Sequence, residues 1–256
     1  MNRDSMTTLK EVVLYSDELL QVQKFQDYCP NGLQVEGKTE IKKIVSGVTA
    51  CQALINEAVR ANADILLVHH GYFWKGESAC ISGIKQRRVK ALLENDLSLL
   101  AYHLPLDAHE LYGNNIQLAK ILSIHNPKPI LNDGKPTLVF EGMLPKEMLS
   151  SELQIFLNAM LGQMPLQVGP EKMIKRIAWC TGGAQSYFQQ AIDAGADAFI
   201  TGEISEPCFH IANEMGVPFF ACGHHATERY GVQALGEHLS KHFALLHEFI
   251  DIPNPV

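Results

Sequence analysis

Short apolar runs alternate along the chain with segments whose apolar residues recur at helical spacing. The spacing of leucines and valines between Leu9 and Val22 predicts a first helix over residues 8–26. The same reasoning predicts further helices at 51–61, 82–95, 114–122, 184–194 and 229–242, and strands at 33–35, 41–49, 64–68, 97–102 and 217–222. Strands that alternate with helices are typical of an α/β protein with parallel sheets.

The second half of the chain repeats the pattern of the first. At an offset of 133 (197 − 64), residues 58–67 align with residues 191–200, and both carry the pattern Ala-x-x-Ala-x-Ala-Asp. After a shorter loop, 99–101 corresponds to 219–221. Two β-α-β units can look alike simply because both use small helix residues and apolar strands, but one gapless offset favours an internal duplication.

We therefore predict two similar α/β lobes, residues 1–126 and residues 133–256. The segment 126–129, Asn-Pro-Lys-Pro, is predicted to be a linker, and 132–134 a turn. The C-terminal helix and strand can pack back on the first lobe.

Composition narrows the class of protein. The 256 residues are 46% apolar and 19% charged, which is typical of a folded globular chain. A net charge of −7 does not predict electrostatic attraction to nucleic acid or to an anionic membrane. No signal-peptide pattern, no long apolar run and no Cys-x-x-Cys pair is present, so we expect a cytoplasmic protein with six reduced thiols.

The first candidate site lies where the apolar run Leu66-Leu67-Val68 ends in His69 and His70. Sites in open α/β sheets form at the carboxyl ends of the strands, so both rings can reach one cavity there. The alternative without a functional role is one core histidine and one exposed histidine, because neighbouring strand residues face opposite sides of the sheet. The duplication gives His70 a counterpart in Glu203.

A second candidate follows the strand at 217–222. If a helix begins near His225, then His224 and Glu228 lie on one face at spacing i, i+4. The pair His225 and Glu228, at spacing i, i+3, would also meet, so spacing alone does not choose between the two histidines. Alternatively, the acid only complements the positive end of the helix dipole.

A third candidate follows the strand at 97–102. Pro105 is expected to stiffen the stretch from His103 to Asp107 and to keep it from forming a helix. Asp107 can then point back at the histidine pair. Taken singly, an aspartate that caps a turn is the favoured interpretation.

Considered together, three strand ends offer three histidines and two carboxylates at one sheet edge. A structural zinc takes four ligands, so this set exceeds what one such ion needs. The set suits two metal ions that share a bridging carboxylate and keep positions open for water.

Five motifs occur in this order along nearly the whole chain. They are Asn31-Gly32-Leu33-Gln34-Val35, His69-His70-Gly71, His103-Leu104-Pro105-Leu106-Asp107, Thr201-Gly202-Glu203 and Gly223-His224-His225-Ala226-Thr227-Glu228-Arg229. In this combination the chain resembles the NIF-three-like dinuclear metal-binding family, often labelled GTP cyclohydrolase I type 2 homologues.

The resemblance implies a two-lobed α/β fold, a metal pair in the cleft between the lobes, and a ring-shaped homohexamer with its sites facing an internal cavity. The metal ligands carried over by motif are His69, His70, Asp107, His224 and Glu228. The resemblance thus favours His224 over His225. Zn, Fe, Mn and Ni all accept imidazole with carboxylate, so the donor set leaves the metal open.

The expected function is that of a dinuclear metal-dependent hydrolase, in which metal-activated water attacks a nucleotide or another small cyclic amide or phosphoester. His103 is the candidate for proton transfer. The alternative is a non-catalytic metal-binding or scaffold protein whose hexameric ring matters more than turnover.

Overall fold

The structure, a computed structural model, describes residues 6–132 and 135–256. The chain divides into two compact units. Unit 1 contains the chain up to Gly113 together with Gly231–Ile252, and unit 2 contains Asn114–Tyr230 together with Pro253–Val256. The chain thus passes from unit 1 to unit 2 after Gly113, whereas the sequence predicts a lobe boundary at residue 126.

The helices and strands that the sequence pattern predicts occur in the described residues in the predicted order, together with further elements that the pattern did not predict. Up to Gly113 they are α1 (Leu9–Leu19), a 3₁₀ turn (Val22–Lys24), β1 (Gly32–Val35), β2 (Lys43–Thr49), α2 (Gln52–Arg60), β3 (Ile65–His70), α3 (Gly83–Glu94), β4 (Ser98–Ala101) and α4 (Leu104–Ala108). The remainder are α5 (Asn114–Ile121), β5 (His125–Asn132), β6 (Lys135–Leu149), α6 (Ser150–Leu161), β7 (Leu166–Val168), β8 (Met173–Trp179), a 3₁₀ turn (Gln185–Tyr187), α7 (Phe188–Asp193), β9 (Ala198–Thr201), α8 (Glu206–Met215), β10 (Phe219–Ala221), α9 (His224–Phe243) and β11 (Leu246–Phe249).

Unit 1 is built on a five-stranded sheet in the order β1-β4-β3-β2-β11. Strands β4, β3, β2 and β11 run parallel to one another, and β1 is antiparallel to β4. Apolar clusters cover both faces: Leu54 of α2 belongs to one, and Val12 of α1 with Leu235 of α9 belongs to the other. Burial of both faces explains why the strands read as continuous apolar runs.

Unit 2 is built on a six-stranded sheet in the order β5-β6-β8-β9-β10-β7. Strands β8, β9 and β10 are parallel, while β7 and β6 are antiparallel to the strands beside them. One buried cluster contains Leu153 of α6 and Trp179 of β8, and the other contains Phe188 of α7 and Ala212 of α8.

The two units repeat the same strand order, β1-β4-β3-β2 in one and β7-β10-β9-β8 in the other, each with an antiparallel first strand. They also share one local contact. Asp64 accepts hydrogen bonds from the backbone N–H groups of Lys42 and Lys43, and Asp197 accepts them from Lys175 and Arg176, again at an offset of 133 (197 − 64). The predicted α/β fold of two similar lobes is confirmed.

Two local predictions are wrong. Residues 126–129 are not a linker: they lie in β5, the edge strand of its sheet, where prolines are tolerated because one side of the strand has no partner to hydrogen-bond. The stretch after His103 is not a stiffened loop, because Pro105 lies in the first turn of α4, where its missing N–H costs nothing. Asp133 and Gly134 of the predicted turn lie outside the described residues.

Helix α5 is predicted correctly as a helix but placed in the wrong lobe. Its Leu118 and Ala119 belong to the buried cluster that contains Trp179 of unit 2. The Trp179 indole N–H also donates to the carbonyl of Asn115. Periodicity indicates that a helix forms, whereas the sheet on which it packs depends on tertiary contacts.

The duplicated aspartates give a stability prediction. Asp64 is buried and also forms an ion pair with Lys38, whereas about a third of the Asp197 side chain is exposed. We expect Asp64→Asn to lower the free energy of unfolding by about 2–3 kcal/mol and Asp197→Asn by about 1 kcal/mol, because a lost bond to a buried charge costs more. Urea unfolding of both variants measures this, and equal losses would contradict it.

None of the helices in the described ranges combines the length and the apolar character that crossing a lipid bilayer requires. All six cysteines lie in those ranges, and each is a free thiol.

Candidate metal centre

Unit 1 contributes two histidines at the carboxyl end of β3. His69 is fully buried, and its Nδ1 lies 2.8 Å from the carbonyl oxygen of Tyr102. Because a carbonyl only accepts, Nδ1 carries the proton and Nε2 keeps its lone pair. His70 is half-buried, and its Nδ1 lies 3.2 Å from the Thr49 hydroxyl.

Asp107 lies beside this pair. It is 6% exposed on the short helix α4, and its Oδ1 is 3.5 Å from Nε2 of His69. His103 precedes the same helix, and one nitrogen from each of His69, His70 and His103 lies within 4.8 Å of the others. The structure therefore gathers the four residues that sequence analysis selected in this unit.

Unit 2 contributes a second cluster at the start of α9. His224 and Glu228 lie one turn apart on the same face, with 3.1 Å between Nε2 and Oε2. On the other side of the ring, His224 Nδ1 is 2.7 Å from Oε1 of Glu203. The i, i+4 pair is thus formed by His224, and Glu203 orients its ring.

The charges of these carboxylates change the protonation of His224. Burial alone would lower the pKa of His224, but the hydrogen bonds and charges of Glu228 and Glu203 raise it to about 9. In the metal-free protein near neutral pH, His224 is therefore an imidazolium between two carboxylates. A metal ion that binds Nε2 has to displace that proton, so binding there is expected to strengthen as the pH rises.

This shift predicts a pH dependence of stability. A histidine whose pKa is 6.5 when unfolded and about 9 when folded stabilises the metal-free protein fully below pH 6.5, and the effect is lost as the pH rises through 9. The difference corresponds to about 3 kcal/mol. Denaturant unfolding of chelator-treated protein between pH 6 and pH 9.5 should show this loss, and His224→Gln should lack it. Identical profiles for the two proteins would contradict the assignment.

Glycines let backbone approach the second cluster closely. Gly182 has φ +71°, and a Cβ there would collide with the carboxylate of Glu228. Gly202 is packed just as tightly against the backbone of His224. The loop after β8 thus packs against the carboxylate of Glu228, and the loop after β9 packs against the backbone of His224.

Replacement of Gly182 by alanine is expected to destabilise unit 2 and to move the carboxylate of Glu228. Gly162→Ala is a matched control, because Gly162 has φ +72° but open space around the added methyl group. Both variants lose about 1–2 kcal/mol from left-handed backbone strain. Gly182→Ala should lose a further 1–3 kcal/mol, roughly, from overpacking, as thermal and urea unfolding would show. Equal losses would rule out the collision.

One functional contact is absent from the sequence predictions. Asp27 lies 2.7 Å from Nδ1 of His103, although 76 positions separate the two residues. The sequence hint to this contact is the nearby motif that begins at Asn31. The side chain of Asn31 donates a hydrogen bond to Asp27 and accepts one from the backbone N–H of His103. Without a fold, nothing links that motif to His103.

The donor set fits divalent metal ions. His69, His70 and His224 each hold Nδ1 within hydrogen-bond distance of a protein oxygen, so Nε2 is the nitrogen that would bind an ion. Such outer hydrogen bonds orient metal-binding histidines in proteins. In His69 and His224, Nε2 already lies beside a carboxylate, that of Asp107 and that of Glu228. Asp107 and Glu228 add buried carboxylates, and imidazole with carboxylate is a donor set typical of Zn, Fe, Mn and Ni.

The fold and these clusters define a two-unit α/β protein with candidate metal ligands at its strand ends. The profile of the family described as Duf34/NIF3 (NGG1p interacting factor 3) matches residues 7–255. The chain belongs to this family, which confirms the resemblance inferred from the motifs.

Relatives and solved structures agree with this assignment. A GTP cyclohydrolase 1 type 2 homolog from Pseudomonas aeruginosa is 55% identical over 247 residues, which cover 96% of this chain and 98% of the relative. One from Haemophilus influenzae is 53% identical and covers 93% and 96%. A structural-genomics structure of a protein of unknown function is 50% identical with a TM-score of 0.92, and covers 97% of this chain and 100% of that one. A crystal structure of a protein from Thermus thermophilus is 35% identical with a TM-score of 0.88 and the same coverage.

Proposed function

We propose that this protein is a metal-dependent hydrolase that holds two divalent ions through His69, His70, Asp107, His224 and Glu228. The observation that carries the proposal is the shared state of the three histidines. Each holds its Nδ1 within hydrogen-bond distance of a protein oxygen, which is the outer contact that orients the ring of a metal-binding histidine.

The number of donors favours hydrolysis over a purely structural role. Structural ions are fully enclosed by about four protein ligands each, whereas catalytic ions keep a position open. Five side chains, even with a bridging carboxylate, leave positions on two ions for water and substrate. When bound, the ions would polarise the group under attack and lower the pKa of a coordinated water.

The residues of the chain have distinct roles in this proposal. The carboxylates of Asp107 and Glu228 balance the charge of the ions. His103, whose ring centroid lies 5.1 Å from that of His69, moves a proton between the attacking water and the leaving group. The names of the relatives direct the proposal to a nucleotide or a similar small cyclic amide or phosphoester.

Assembly into a homohexameric ring is part of the same proposal and rests on family membership. Light scattering of the purified protein tests it: a mass near six chains is expected, and a monomer would contradict it. If the ring forms but no compound class is turned over, a metal-binding scaffold becomes the better account.

Metal analysis followed by a substrate screen tests the function. The purified protein should contain about two ions per chain and should hydrolyse a member of a panel of nucleotides, phosphodiesters and cyclic amides. His70→Ala should lose metal and turnover, while His210→Ala, a change at an exposed histidine of α8, should lose neither. Metal content that His70→Ala leaves unchanged would contradict the proposed site.

A further inference from the structure

Asp27 is a buried carboxylate with a function still to be assigned. It lies between α1 and β1, and its side chain is 3% exposed. Its Oδ1 lies 2.7 Å from Nδ1 of His103. A buried carboxylate beside an imidazole either stabilises the fold locally or controls what the imidazole does.

Donors surround both oxygens of Asp27. Besides His103, the backbone N–H of Tyr28 donates to Oδ1 at 2.6 Å. Oδ2 accepts from the Asn31 side-chain amide at 2.8 Å and from the backbone N–H of Leu104 at 2.9 Å. Burial alone would raise the pKa of Asp27, but the bonds from His103 and Asn31 lower it to about 2. Asp27 is therefore ionised under ordinary conditions and accepts every one of these bonds.

This fixes the tautomer of His103. An ionised carboxylate cannot donate, so the proton of the neutral imidazole lies on Nδ1 and the lone pair on Nε2. The ring is also held in place, because Trp74 packs edge-on against it with 5.0 Å between ring centroids. Asn31 holds the backbone of His103 through its Oδ1 at 2.7 Å.

Nε2 is at the opposite end of the ring from Asp27. The ring itself lies beside the candidate ligands, with centroids 5.1 Å from His69 and 5.8 Å from His70. Those two histidines bond neutral oxygens through Nδ1, whereas His103 bonds a carboxylate. The carboxylate at Nδ1 holds His103 in the tautomer whose Nε2 can accept a proton.

We propose that Asp27 is the positioning residue that makes His103 the proton-transfer group of this site. The proposal rests on the proposed hydrolytic function. In the step, Nε2 takes one proton from water as its oxygen bonds to the substrate, and Asp27 offsets the charge of the imidazolium. The bond between the substrate and the departing group then breaks, and Nε2 returns the proton to that group, so His103 ends as it began.

The test uses protein labelled with ring-¹⁵N histidine and solid-state NMR, which reports the protonation of each ring nitrogen. Three variants are compared with the parent: Asp27→Asn, His103→Asn and the control Asp96→Asn, which makes the same change at an exposed aspartate. The signals missing in His103→Asn identify the ring of interest. Metal content and thermal unfolding are measured for every sample.

We expect the parent to show His103 protonated at Nδ1, and Asp27→Asn to move that proton to Nε2. The Asn31 amide and the Leu104 N–H both donate to Oδ2, so the new amide keeps its oxygen there and turns its nitrogen toward Nδ1, which must then accept. All variants should keep the parent's metal content, and Asp96→Asn should keep its spectrum. On a substrate found in the screen, Asp27→Asn should lower kcat about 10²–10⁴-fold with little change in KM.

Two results would overturn the inference. One is a parent His103 protonated at Nε2. The other is loss of metal in His103→Asn, which would make His103 a ligand. If no protein, parent included, binds metal, the hydrolase proposal fails, yet the tautomer measurement still decides whether Asp27 sets the state of His103.

Discussion

Glu228→Gln is expected to reduce bound metal from about two ions per chain to fewer than one, a loss larger than any conservative surface change could cause. Glutamine keeps the size of the side chain but removes its charge. Glu228 is 2% exposed and lies 3.1 Å from Nε2 of His224, so the substitution removes an anionic oxygen from the centre of the second cluster. A neutral amide is a far weaker ligand for a divalent ion.

The matched control is Glu214→Gln, which makes the same chemical change at an exposed position of α8. Elemental analysis of both proteins after identical purification gives the comparison. Circular dichroism and thermal unfolding show whether each variant is folded. A folded Glu228→Gln protein with the metal content of the parent would contradict a ligand role for this residue.

The second large effect is expected for His103→Asn, which should lower kcat about 10²–10⁴-fold while leaving the metal content unchanged. Asparagine can still donate a hydrogen bond to Asp27 but cannot carry a proton between water and a leaving group. The assay uses whichever compound the screen identifies. His210→Asn, at an exposed position of α8, is the control. Unchanged kcat in His103→Asn would remove this residue from the chemistry.

The architecture was predictable because the spacing of apolar residues indicates whether each segment is a strand or a helix. The apolar runs became buried parallel strands, and the offset of 133 reappears as the paired contacts of Asp64 and Asp197. Predictions failed where the outcome depends on distant partners. Helix α5 packs with unit 2, and the proline-rich segment at 126–129 forms an edge strand.

The candidate site was predictable only in part, for the same reason. His69, His70, His224 and Glu228 stand at strand ends or at helical spacing, so the sequence alone could suggest them. Asp27 could not be found in this way, because its contact with His103 depends on how the segment after α1 packs against the start of α4. Short motifs indicate ligands, whereas the groups that orient them are dispersed along the chain.

Anomalous X-ray diffraction from crystals of metal-loaded protein tests the central claim most directly. The account predicts two anomalous peaks per chain, roughly 3.5–4 Å apart, whose ligands are His69, His70, Asp107, His224 and Glu228. It also predicts that His103 makes no bond to either ion. A single fully enclosed ion, or two peaks bound by other residues, would contradict it.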